Sequence, residues 1–169
     1  MQFASRTERI DPFYVMEMAK TAQAMAREAA HTRERMIFLN VGEPDFPAPP
    51  LVQEAASRAI RDGRTQYTHS LGLDALREAV SHWYSQRFGV NVPARRIVIT
   101  AGASAALHLA CLALINAGDE ILMSDPGYPC NRHFVSAAEG VPVLIPTTAE
   151  ERYQLSHAKV QAAWGARTR

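Results

Sequence analysis

The chain has 169 residues, with 18 Lys and Arg against 17 Asp and Glu, a net charge of +1, and 47% hydrophobic residues. That balance excludes a disordered or fibrous chain, and without a basic excess it gives no ground for a nucleic-acid or anionic-lipid partner. Two cysteines, Cys111 and Cys130, cannot build a disulfide framework and read as thiols of a reducing compartment. The most apolar stretch, residues 103–117, is broken by Ser104, His108 and Asn116 and is too short for a bilayer span. The N-terminus lacks the apolar core of a signal peptide, so the expected setting is the cytoplasm.

Asp11-Pro12 has the form of a helix cap followed by proline at the first helical position. Val15, Met18, Ala22, Met25 and Ala29 then form one apolar stripe, suited either to the protein's own core or to a second subunit. His31 to Arg35 is expected to be a solvated helix end. Four prolines between Pro44 and Pro50 forbid regular structure and predict a stiff, extended loop. Helical spacing returns over Leu51 to Arg61, and again over Leu73 to Phe88 with Leu73, Leu76, Val80 and Trp83 on one face.

From there strands alternate with helices. Ile97–Thr100, Glu120–Ser124 and Val141–Pro146 read as strands; helices are expected from Gly102 to about Asn116, after Pro129, and after the cap Ser156. The fold class is therefore α/β: an N-terminal helical arm, then part of a mostly parallel sheet flanked by helices.

In open α/β sheets ligands gather at the carboxyl ends of strands. Thr100-Ala-Gly102-Ala103-Ser104 is a small-residue turn entering a helix, whose N–H groups and dipole favour a phosphate. An ordinary strand–helix turn capped by Ser104 is the plain alternative. At the next tip, Asp125-Pro-Gly-Tyr128-Pro fixes a tyrosine between two prolines, an aromatic plate for a flat heterocycle or simply a cover for the sheet end. Neither G-x-G-x-x-G nor a phosphate-loop lysine is present. Gly102-Ala-Ser104 also has the look of a nucleophile elbow, with Asp119 or Asp125 and His133 or His157 as partners, so a serine acyl hydrolase stands as a rival.

Five strings occur in one order: Val41-Gly42-Glu43-Pro44-Asp45-Phe46; Gln66-Tyr67-Thr68 with Gly72 and Leu76-Arg77-Glu78-Ala79; Thr100 to Leu107; Gly118-Asp119-Glu120; and Asp125 to Pro129. Together they resemble the N-terminal part of the class I/II aminotransferases that use pyridoxal 5'-phosphate, of the aspartate aminotransferase-like fold type I. The resemblance implies an enzyme moving an amino group between an amino acid and a 2-oxo acid. It implies a small-domain segment and arm over residues 1–45 and part of the large cofactor-binding domain over residues 46–169. It places Gly42 beside the substrate carboxylate, and Gly102, Ala103 and Ser104 around the cofactor phosphate. It stacks Tyr128 on the pyridine ring and sends Tyr67 to the cofactor of the second subunit of a homodimer. Alanines at 103 and 105 leave fewer side chains to hold the phosphate than many relatives have.

The same resemblance requires a lysine amine that forms a Schiff base with the cofactor. The chain has two lysines, Lys20 and Lys159, and neither follows a strand tip. The expectation is an N-terminal fragment, inactive alone, with no catalytic lysine of its own. It would also lack the strands that the family places between Ile97–Thr100 and the other two, leaving edges prone to association. A non-catalytic dimerising or regulatory module of the same fold is the third reading. The six histidines show no paired metal spacing, and His108 and Cys111 read as packed helix residues.

Overall fold

The computed structural model describes residues 2–31 and 36–169, which fall into two compact units: Met1–Val41 with Gly102–Arg169, and Gly42–Ala101. The expected helix end at His31 to Arg35 lies almost wholly outside the described residues; His31 itself closes a 3-10 turn, Ala29–His31.

In the first unit a 3-10 turn, Ser5–Arg9, precedes helix α1, Tyr14–Glu28. Asp11-Pro12 does not start that helix: the chain stays extended to Phe13, which caps it without a side-chain bond. The half-covered positions of α1 are Val15, Ala19, Ala22, Ala26 and Ala29, while Met18 and Met25 are exposed. The expected stripe is thus rotated toward the alanines, and no α1 residue enters the core. Arg6 and Arg9 both pair with Glu139, tying the first turn to the C-terminal half of the chain.

Helix α4 (Gly102–Leu114) leads to strand β1 (Glu120–Asp125), helix α5 (Pro129–Ala137), strand β2 (Val141–Pro146) and helix α6 (His157–Ala163). β1 and β2 pair in parallel, from Glu120 with Val141 to Asp125 with Pro146. The odd-numbered residues of both strands exchange the ladder bonds, as the bonds Val141 N–H to Asp119 O and Thr147 N–H to Asp125 O show at the two ends. Pro142 and Pro146 fall on even positions, so the N–H groups they lack belong to the outer edge of β2. Proline is tolerated there and blocks further pairing. The other edge of β1 is different. Glu120 bonds there to Arg167 and Arg169 around a single bridge to Thr168, and among the described residues Leu122 and Ser124 pair with no strand beyond it.

The apolar core of this unit is Val135 and Ala138 on α5 and Ile145 on β2. The turn from α4 to β1 is held by Asp119, which accepts from the Asn116 backbone at 2.8 Å and faces Arg169. The Asn116 N–H, with help from Arg169, holds the Asp119 carboxyl below the ordinary carboxylate range. Ser156 caps α6 as expected, its Oγ accepting from the Lys159 N–H at 3.3 Å.

In the second unit the proline-rich loop is indeed irregular, and helix α2 runs Pro50–Arg61 with Pro50 at its first position. Helix α3 runs Asp74–Phe88 and closes on Gly89. Its buried residue is not one of the expected face: Leu73, Leu76 and Trp83 are exposed, and Arg77 is buried. The reason is polar. Arg77 Nε donates to Ile97 O and Nη2 to Ala94 O, both at 2.9 Å, while Nη1 reaches Asp74 at 2.8 Å. The guanidinium fork thus holds the chain just before Thr100. Ile97–Thr100 is extended but is no strand, because its Ile99 N–H goes to Leu71 O and no ladder partner lies among the described residues.

The surface totals 13953 Å². A self-sufficient monomer of this mass exposes about 8,200 Å², so much apolar area, including Leu39, Leu51, Leu109, Leu112 and Leu114, is left uncovered. With an open edge on β1, self-association is the expected result; sedimentation velocity should show oligomers, and a cooperatively melting monomer would contradict it. For Arg77→Met, urea unfolding should show a loss of about 2–3 kcal/mol, since two carbonyls lose a charged donor.

Candidate active site

α4 ends five residues before β1 and α5 fills the crossover from β1 to β2, so both helices run against the strands and parallel to each other. They pack together: the His108 and Phe134 rings stack at 6.0 Å with 19° between their planes. His108 lies six residues after Gly102, and Phe134 six after Tyr128. Gly102, Ala103 and Ser104 open α4, and Tyr128 stands at the start of α5. Of these, Tyr128 lines the cleft along β1 and the three α4 residues do not.

Gly102 opens α4 with φ +84°, and a side chain added there would meet nothing within 4 Å. Ala103 and Ser104 follow it on the exposed first turn, where helix N–H groups have no partners within the helix. A helix start of this kind, reached through a positive φ that glycine adopts without strain, is chemically suited to an anion.

Tyr128 caps α5, and Pro129 holds the first helical position. Its ring is 57% exposed. Gly127 is needed beneath it, because a Cβ there would lie 2.7 Å from the backbone oxygen of Ser124. The neighbouring Cys130 side chain, through hydrogen bonding and then through the charge of its thiolate form, with a smaller part from burial, raises the Tyr128 pKa.

A cleft of about 420 Å³ runs along β1 to this tip, lined by Ser124, Asp125, Tyr128, Asn131, Arg132 and Leu155 among others. Asn131 and Arg132 were not singled out by sequence. Nothing in their residue types set them apart from solvated helix positions.

The remaining expected residues lie in the second unit. Gly42 sits in the irregular loop with open space around it, and the Tyr67 side chain is fully exposed at 104%. Neither lysine lines the cleft. Lys20 pairs with Glu17 at 2.6 Å, and Lys159 is bound by Pro146 O and Glu151, both at 2.7 Å. For the hydrolase arrangement, Asp119 is held by Asn116 at the far end of α4, about 20 Å from its start, and among the described residues no hydrogen bond joins Ser104 to His133 or His157, or either histidine to Asp125. Among the described residues no group of three His, Cys, Asp or Glu side chains could hold a metal, and no helix is long and apolar enough to cross a membrane.

Helices packed with a parallel strand pair define an α/β protein. The chain belongs to the class I and II aminotransferases, whose family it matches over residues 34–168. It is 38% identical over 126 residues to an aspartate aminotransferase of Pyrococcus horikoshii, covering 75% of this chain and 32% of that protein. A valine–pyruvate aminotransferase of Mycobacterium tuberculosis is 37% identical over 86% of this chain and 36% of its own length. The crystal structure of the aspartate aminotransferase of Rhizobium meliloti superposes with a TM-score of 0.90 at 34% identity, over 100% of this chain and 41% of that one. The chain therefore spans less than half the length of these relatives.

Gly127→Ala is expected to cost about 1–3 kcal/mol through overpacking against Ser124. Thermal melting should record the loss, and an unchanged melting temperature would show that the tip yields freely.

Proposed function

We propose that this chain supplies the phosphate-binding turn and the ring platform of a pyridoxal 5'-phosphate-dependent aminotransferase acting between amino acids and 2-oxo acids. What supports the reading is the packing of α4 on α5 at the His108–Phe134 contact, with a glycine of positive φ at the start of one helix and an exposed tyrosine at the start of the other. When bound, the cofactor supplies a carbonyl for the amine and a ring that takes up the electron pair from the substrate α-carbon.

The residues of the chain do the holding. The N–H groups of Ala103 and Ser104 and the Ser104 hydroxyl bind the phosphate, with the dipole of α4 behind them. Tyr128 covers one face of the ring and keeps water from it. Gly42 leaves room for a substrate carboxylate, and Tyr67, without contacts of its own, reaches the cofactor of a second copy in a cytoplasmic homodimer. Residues 1–45 act as arm and small-domain segment and residues 46–169 as part of the large domain. Both lysine amines are engaged away from the cleft, so this chain alone binds cofactor without attaching it and does not turn over.

Titration with pyridoxal 5'-phosphate, followed by cofactor absorbance, should show saturable binding. Tyr128→Ala should weaken it several-fold, the worth of one aromatic stack. Borohydride treatment of the mixture should leave Lys20 and Lys159 unlabelled by mass spectrometry. Absence of cofactor binding, or a label on either lysine, would overturn the assignment.

A further inference from the structure

We propose that the N-terminal arm is a releasable strap, fastened to its unit through the carboxylate of Glu139 and set free as ionic strength rises. The inference stands apart from the amino-transfer reading. Arg6 Nε meets one oxygen of Glu139 at 2.8 Å, and Arg9 Nη2 meets the other at 2.5 Å. Both arginines belong to the 3-10 turn Ser5–Arg9, which packs on α5. Gln2 to Pro12 are all exposed. Among the described residues their other hydrogen bonds, from Thr7 to Ala4 and from Ile10 to Thr7, stay within the segment. Helix α1 follows directly and contributes no buried residue.

Glu139 stands one residue beyond Ala138, the C-cap of α5, with φ +64°. Two features of that place disfavour a glutamate. Glycine or asparagine adopts a left-handed backbone at a helix end far more readily. The end of a helix also carries partial negative charge, which repels a carboxylate. The backbone bonds there ask nothing of the side chain: the Glu139 N–H donates to Ser136 O, and its carbonyl accepts from the Gly118 N–H. What accounts for the carboxylate is the pair of arginines from the other end of the chain. Both cations also suit the negative end of α5. The fastening is open to water, with the Arg6, Arg9 and Glu139 side chains 50%, 45% and 37% exposed. Exposed pairs contribute little each and are screened by salt. An arm held in this way, with no buried side chain of its own, passes between closed and open forms at little cost. Salt moves that balance toward the open form.

The test is limited trypsin digestion of the whole chain, read by mass spectrometry as cleavage after Arg6 and Arg9 relative to cleavage after Arg64 in the other unit. Taking the ratio to Arg64 cancels the effect of salt on the protease. Relative cleavage of the arm should rise about threefold between low salt and about 0.5 M sodium chloride, as exposed ion pairs are screened. Glu139→Gln should show that rise already in low salt and respond no further to added salt. Glu139→Gly should free the arm equally, yet unfold at a higher urea midpoint than Glu139→Gln, because glycine removes the left-handed strain. The salt series on the native chain needs no variant. Relative cleavage that is the same in both salts would overturn the proposal. So would a Glu139→Gln chain that still responds to salt, or a Glu139→Gly midpoint no higher than that of Glu139→Gln.

Discussion

The contact between His108 and Phe134 joins two helices, and the candidate site is read from the starts of both. A parallel β-pair needs a crossover helix, and α5 meets that need whatever its sequence does at the tip. What the sequence adds is a partner, α4, packed against α5 through that ring pair. Each helix carries partial positive charge at its N-terminus. The chemistry of that end is then decided by a few residues: a glycine that opens α4, a serine on its first turn, and a tyrosine trapped between prolines.

Polar contacts, more than apolar ones, complete the rest of the chain. The buried apolar residues are Val135, Ala138 and Ile145, all close to the single strand pair. Elsewhere, turns are tied by side chains bonded to backbone: Arg77 to Ala94 and Ile97, Asp119 to Asn116, Ser81 to Val92. Such bonds fix local geometry without burying much surface, so each segment can hold its shape while its apolar face stays open. The two edges of the sheet make the same contrast. Pro142 and Pro146 seal β2, whereas β1 keeps donors and acceptors at Leu122 and Ser124.

Legibility followed the range of the forces involved. Pro50, Gly89 and Ser156 act on their own neighbours, and α2, the end of α3 and the start of α6 were readable from them within a residue or two. Asp11-Pro12 carried the same local signal yet did not start α1, because Ser5–Arg9 is already tied to Glu139 and the chain needs the intervening residues to turn. The face of α3 was misread for a related reason. An apolar count cannot see that carbonyls nearly twenty residues away will take up an arginine. Ile97–Thr100 has the composition of a strand, but a ladder needs a neighbour, and composition says nothing of one. Of the candidate site, the strand tips were legible because small residues and prolines constrain backbone directly. Asn131 and Arg132 were not, since nothing in their types distinguishes an unpartnered side chain from a solvated one.

That last difference shows how a site differs from a fold in this chain. Where Arg77 is buried, the fold supplies every acceptor its guanidinium needs, and the residue reads as architecture. Where Arg132 is half-buried, no acceptor among the described residues meets its Nε, although Asp125 lies in the same cleft. The difference lies in what the chain brings to the fork: carbonyls of Ala94 and Ile97 and the carboxylate of Asp74 converge on Arg77, and it is that convergence which makes a charged side chain part of the architecture.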